Sequence, residues 1–148
     1  MRKTWWFIMA WVLLLVGPGS AATMGSIGKD RVKVHAQPDL SSEVLFQAYL
    51  GYPIQINKQK KDWVYFTDWK HHTGWIKRSG VSKTRTAVVL VEKAPIRRGP
   101  DPKKPVIRQA CKGDIFRVFG EKGKWVKIGY YVENEVVGWI RQDLVWGD

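Results

Sequence analysis

The sequence predicts an all-β protein: two small five-stranded barrels in tandem after an N-terminal signal peptide. Three observations predict it. The chain repeats itself at an offset of 62 residues. Its apolar residues alternate with period two. Turn-forming residues cut it often, and beyond residue 22 no apolar stripe is long enough for a helix.

The N-terminal segment comes first. Arg2 and Lys3 form a basic start, and Trp5 to Val16 is an apolar run of twelve. Gly17-Pro18-Gly19 breaks the run, and Ser20-Ala21-Ala22 supplies small residues for a signal peptidase. The run is shorter than the roughly 20 apolar residues of a spanning helix. The layout predicts residues 1–22 as a signal peptide, export to the periplasm or beyond, and no stable membrane span after cleavage. Removing Arg2 and Lys3 takes the formal charge from +12 to +10. Cys111 is the only cysteine, so no internal disulfide forms and packing alone holds the exported chain. The charge draws it to anionic surfaces such as wall polymers, lipid head groups and acidic proteins. Export argues against nucleic acid as the partner.

The repeat comes next. From Val34 to Phe66, nine of 33 positions recur 62 residues later without a gap. They include Pro38-Asp39, Gln47-Ala48, Gly51 and Trp63-Val64, which meet Pro100-Asp101, Gln109-Ala110, Gly113 and Trp125-Val126. The offset then becomes 64, so that Gly74-Trp75-Ile76 meets Gly138-Trp139-Ile140, and a hairpin loop is expected to absorb the extra length. The units are placed at 28–82 and 87–148 with a basic linker at 83–86. Their charges are +4, +4 and +2, so neither unit is a neutral spacer.

Strands follow from alternation. Val32-Lys33-Val34, Ile54-Gln55-Ile56, Phe116-Arg117-Val118 and Trp125-Val126-Lys127-Ile128 all have period two. Gln37-Pro38-Asp39, Gly51-Tyr52-Pro53, Gly99-Pro100-Asp101 and Gly120-Glu121-Lys122-Gly123 are turns. Short strands in a unit this small point to a closed barrel.

These residues carry a resemblance. Each copy resembles a bacterial SH3-like (Src-homology-3-like) domain. In the second copy "APIRRGPDPKKPVI" (Ala94 to Ile107), "KGDIFRV" (Lys112 to Val118), "KWVKI" and "GWIRQDLV" are similar to the family's opening, strand entry, tryptophan strand and closing signature. The first copy departs at the opening, with Val34-His35-Ala36-Gln37-Pro38. The resemblance implies a targeting or interaction module outside the cytoplasm, not an enzyme. Some members recognise peptidoglycan or its stem peptides. An envelope protein segment is the other partner implied. Polyproline binding is discounted: the proline and tyrosine expected after the closing aromatic are replaced by Arg141 and Leu144, and by Lys77 and Gly80.

The site candidates are aromatic. Val64 and Phe66 face a core, as do Val126 and Ile128, so Trp63, Tyr65, Trp125 and Lys127 point the other way. Trp63, Tyr65, Trp69, Trp125, Lys127 and Tyr130 are the expected ligand-binding residues, because amphipathic rings suit sugar or peptide ligands. Packing against adjacent loops, or across the two units, is the competing role for these rings. Trp75 and Trp139 are read as structural. "QACKG" around Cys111 looks like a caspase signature, but Lys112 departs from it and the nearest upstream histidine, His72, is only 39 residues away. The first copy reads Gln47-Ala48-Tyr49, so Cys111 belongs to the repeated frame. His71-His72 lacks the further ligands a metal needs, and the second copy has no histidine there. Neither a metal nor a cofactor is expected.

Overall fold

Residues 22–148 are described by a computed structural model; all but the last residue of the expected signal peptide lies outside the described residues. The first seven strands are β1 (Thr23–Ile27), β2 (Val32–His35), β3 (Val44–Ala48), β4 (Pro53–Lys60), β5 (Trp63–Thr67), β6 (Thr73–Lys77) and β7 (Val81–Ser82). The next seven are β8 (Thr86–Val89), β9 (Lys93–Arg97), β10 (Val106–Cys111), β11 (Ile115–Lys122), β12 (Trp125–Gly129), β13 (Val136–Arg141) and β14 (Val145–Trp146). The first sheet runs β3-β2-β6-β5-β4-β1-β7, the second β10-β9-β13-β12-β11-β8-β14: one order, used twice.

Each sheet holds the five expected strands plus a leading strand and a two-residue closing strand. The closing strand follows a 3-10 turn, Arg78–Gly80 or Gln142–Leu144. The leading strands align at the same offset of 62, Met24 to Ile27 on Thr86 to Val89, without one identity. Sequence comparison therefore passes over them. The first sheet begins at Thr23, ahead of residue 28, and β8 begins at Thr86, inside the expected linker.

The cores confirm the duplication position by position. All seven residues of the first core cluster have partners in the second: Ile27 with Val89, Val34 with Ile96, Ala48 with Ala110, Ile54 with Phe116, Val64 with Val126, Phe66 with Ile128, Ile76 with Ile140. Each fully buried aliphatic or Phe side chain is worth about 1.5–3 kcal/mol.

The repeated glycine-tryptophan signature has a steric cause. A Cβ on Gly74 would lie 2.3 Å from Val34 Cγ1, and one on Gly138 would lie 2.7 Å from the Arg97 carbonyl. Glycine lets β2 cross β6, and β9 cross β13, at close range. Each crossing is bridged once, at His35–Trp75 and Trp139–Arg97. The second copy's two extra residues divide between two devices. One lengthens the hairpin loop, from residues 68–72 to residues 130–135. The other is a bulge at Val137, since Val136 pairs with Gly129 while Gly138 pairs with Ile128.

The two barrels touch. Thr86 Oγ1 donates to the Gly51 carbonyl at 2.7 Å, and Ser26 Oγ donates to the Thr84 carbonyl at 2.7 Å. Val88 shares a strand face with Thr86 and is fully buried, yet lies outside its own barrel's core. Its register partner is Trp146. Gly147 packs on Pro53, where a Cβ would come within 2.9 Å of Pro53 Cβ. The Tyr131 ring packs on Gly51.

Candidate functional site

Two surfaces of the first barrel gather aromatic side chains. One is the outer face of β4, β5 and β6. Trp63 and Tyr65 point away from the core there, as alternation requires, and neither belongs to the core cluster. Trp63 is nonetheless only 7% exposed. The His35 ring stands T-shaped to it with centroids 5.3 Å apart, and Lys77 Nζ lies 4.7 Å from its centroid. Trp125, its counterpart, is 9% exposed. The cover over Trp63 comes from other strands, His35 on β2 and Lys77 on β6. Tyr65 is half-buried, 5.1 Å from the Trp75 ring, with Lys58 Nζ 4.8 Å from Tyr65 and 5.5 Å from Trp75. Cation–π contacts thus cap this aromatic floor. In the second barrel Lys127 stands where Tyr65 does, 5.8 Å from a half-buried Trp139.

Trp69 and Tyr130 lie elsewhere, at the loop ends of the first and the second sheet respectively. Trp69 is half-buried beside Lys70 Nζ at 4.9 Å, and its buried Nε1 lacks a hydrogen-bond partner. Tyr130 packs on Phe116 at 6.4 Å, with the Arg108 guanidinium 5.6 Å from its ring. The length of β5, roughly 13 Å at about 3.3 Å per residue, separates Trp69 from Trp63, and the equal length of β12 separates Tyr130 from Trp125. The expected site residues therefore fall into two groups.

The second surface is a groove at the loop end of the first sheet, about 460 Å³ in volume, lined by Leu45, Phe46, Gln47, Ala48, Tyr49, Tyr52, Lys70 and His72. It is organised by Asp68, the residue after β5. Asp68 is 1% exposed. Its Oδ1 accepts the N–H groups of Lys70 and His72, both at 2.8 Å. Its Oδ2 accepts the Tyr52 hydroxyl at 2.8 Å and meets His72 Nδ1 at 3.1 Å. One buried carboxylate thus fixes a loop and two groove side chains, the arrangement that makes a buried charge tolerable. Burial, then the Asp68 hydrogen bond, raises the Tyr52 phenol well above its ordinary pKa. The His72 and Phe46 rings stand 5.7 Å apart, and Tyr49 is 58% exposed. The lining provides apolar and aromatic contact area, a cationic rim at Lys70 and a held imidazole. It pairs no nucleophile with a base, and suits an extended chain with apolar side groups and a carboxylate.

Sequence reasoning passed over Phe46, Tyr49, Asp68, Lys70 and His72 as a group. A signal for them existed. Phe46, Tyr49, Tyr52 and Asp68 meet Arg108, Cys111, Asp114 and Tyr130 in the second copy, so the groove is where the copies diverge while the cores agree. Cys111 occupies Tyr49's place. It is exposed, and its N–H donates to Asp114 Oδ2 at 2.7 Å. A second depression, along Gln55 to Gln59 and Thr23, is polar and has no aromatic lining.

Comparison with known proteins decides the family. The model of the bacterial SH3 domain matches twice, over residues 30–82 and 92–145. The chain belongs to the bacterial SH3 domain family. Both SH3 units seen in the sequence are thereby accounted for. A Staphylococcus aureus protein described as a probable cell wall amidase, LytH, is 40% identical over 53 residues. That match covers 36% of this chain and 18% of the amidase, so this tandem SH3 chain matches less than a fifth of its relative's length. Among solved structures, NlpC2 from Trichomonas vaginalis superposes with a TM-score of 0.40 at 18% identity, covering 87% of this chain and 49% of that one. An NlpC/P60 family protein from Bacillus cereus ATCC 10987 gives 0.39 at 12% identity, covering 83% and 55%.

Proposed function

We propose that this is an exported, non-enzymatic binding protein whose SH3 units attach it to cell-wall material, peptidoglycan or its peptide stems. The observation that carries the reading is the extent of the amidase likeness. It spans 53 residues, the length of one SH3 unit, and leaves most of the amidase unmatched. What the two proteins share is a recognition module. The first unit's groove is the primary contact. Phe46 and Tyr49 take the apolar part of an extended segment, while Lys70 and His72 face its carboxylate. Tyr65 with Lys58 extends the contact on the outer face, and Lys127 occupies the equivalent place in the second unit. Trp63, Trp125, Trp69 and Tyr130 support these surfaces from beneath. Residues 23–148 incubated with purified sacculi at low salt are expected to sediment with them. Tyr49→Ala combined with Lys70→Ala is expected to lower retention at least tenfold. Absence of retention overturns the proposal, and retention untouched by the pair overturns the assignment to the groove.

A second reading is favoured by the contact between barrels. In an envelope assembly protein the pair, docked through Thr86, Gly147 and Tyr131, would present one rigid surface to a protein segment. Retention on sacculi stripped of protein separates the two readings.

A further inference from the structure

The second unit concentrates cations where the first has none. Between Arg97 and Arg108, the β9–β10 hairpin carries Arg97, Arg98, Lys103, Lys104 and Arg108 against the single acid Asp101, a net +4. The matching stretch of the first unit, His35 to Phe46, carries Asp39 and Glu43 and neither lysine nor arginine. The fold itself, common to both, does not call for the cations. Among the described residues none of the five enters a salt bridge. Arg98, Lys103, Lys104 and Arg108 are exposed. Asp101 is engaged inside the turn, its Oδ1 accepting the Lys103 N–H at 2.8 Å.

The hairpin is also held in shape. Arg98 N–H donates to the Pro105 carbonyl at 3.0 Å and Lys104 N–H to the Asp101 carbonyl at 3.0 Å. Arg97 Nη1 donates to the Lys104 carbonyl at 2.8 Å. Pro100, Pro102 and Pro105 restrict the backbone further. The cations are therefore displayed with little ordering left to lose on binding. The charge continues onto the sheet. Arg97 is the register partner of Trp139, and Trp139 is that of Lys127. Trp139 is half-buried, whereas its counterpart Trp75 lies beneath Tyr65 and Lys58. A partly open ring between two cations sits on the strands that carry the cationic hairpin.

We propose that the β9–β10 hairpin, with the Arg97–Trp139–Lys127 row, is a binding site for a linear polyanion, a chain of repeated phosphate or carboxylate groups. It is separate from the first unit's groove and stands whether or not that groove binds wall peptides. Such binding releases counterions and weakens as salt rises. The test uses residues 23–148 with two probes, long-chain inorganic polyphosphate and polyglutamate, in fluorescence titrations between 50 and 200 mM salt, roughly the range over which such contacts fade. Binding to at least one probe is expected. Arg98→Gln, Lys103→Gln and Lys104→Gln together should lower affinity at least tenfold and flatten the log–log salt slope by about 2. The same number of charges removed elsewhere, by Lys29→Gln, Lys33→Gln and Lys60→Gln, should change affinity less than threefold. All six positions are exposed, and an unchanged thermal midpoint verifies folding. The probe that binds identifies the oxyanion. Binding to neither probe, or equal losses in the two triple variants, overturns the proposal.

Discussion

Asp68 is the residue on which the first unit's groove is built. A carboxyl group this buried is satisfied because two backbone N–H groups and the Tyr52 hydroxyl donate to it. Asp68→Asn turns one acceptor oxygen into a donor facing donors. We predict a loss of about 1–3 kcal/mol in urea unfolding, with wall retention falling as the loop loosens. Tyr52 makes the same network pH-dependent. Its phenol is raised above its ordinary value of 10.0 in the folded chain, first by burial and then by Asp68. A raised folded pKa means that the stability contribution is complete below the unfolded pKa and is lost as pH rises through the folded one. Stability should therefore decline above about pH 10. Tyr52→Phe should flatten that decline, as thermal midpoints measured from pH 8 to 11 will report. An equal slope in the variant would remove Tyr52 from the account. At this scale the sequence was only partly informative. Parity sent Trp63 and Trp125 away from the core. The cover over Trp63 combines Lys77, across the next hairpin, with His35 from β2, whose approach leaves no local trace.

At the scale of elements, the hairpins and crossings follow from small residues at fixed places. The signature glycine is the clearest. Gly74→Ala drives a methyl to 2.3 Å from a β-branched Val34, and Gly138→Ala to 2.7 Å from backbone at Arg97. Overpacking of this kind costs about 1–3 kcal/mol. Urea midpoints should fall for both variants, whereas an Ala at exposed Lys112 should leave the midpoint near that of the parent. The alternating strands, the turns and the paired glycines were all legible. The leading strands were not, because Met24 to Ile27 and Thr86 to Val89 share a role without sharing a residue. The division of the second copy's extra length between a loop and a bulge also depends on pairing, which spacing alone does not contain.

For the whole molecule, the question is whether two units act as one body. Thr86, Gly147 and Tyr131 join the second barrel to the Gly51–Pro53 turn of the first, so unfolding should be cooperative across both. Thr86→Val strands the buried Gly51 carbonyl, a loss of about 1–3 kcal/mol. With Tyr131→Ala added, a single calorimetric transition should separate into two. A parent protein that already melts in two steps would show the barrels to be independent. The interface was not readable in advance, since Thr86 and Gly147 reach the Gly51–Pro53 turn only through the fold. The duplication was readable, and the functional proposals rest on its consequence: cores that match position by position, surfaces that do not. The most direct measurement is a ¹⁵N NMR titration of residues 23–148 with soluble peptidoglycan fragments. Shifts concentrated on β3, Tyr49 and the Asp68–His72 loop are predicted, with the matching positions around Cys111 and Tyr130 left nearly still. Equal shifts in the two units, or shifts in neither, would contradict the account.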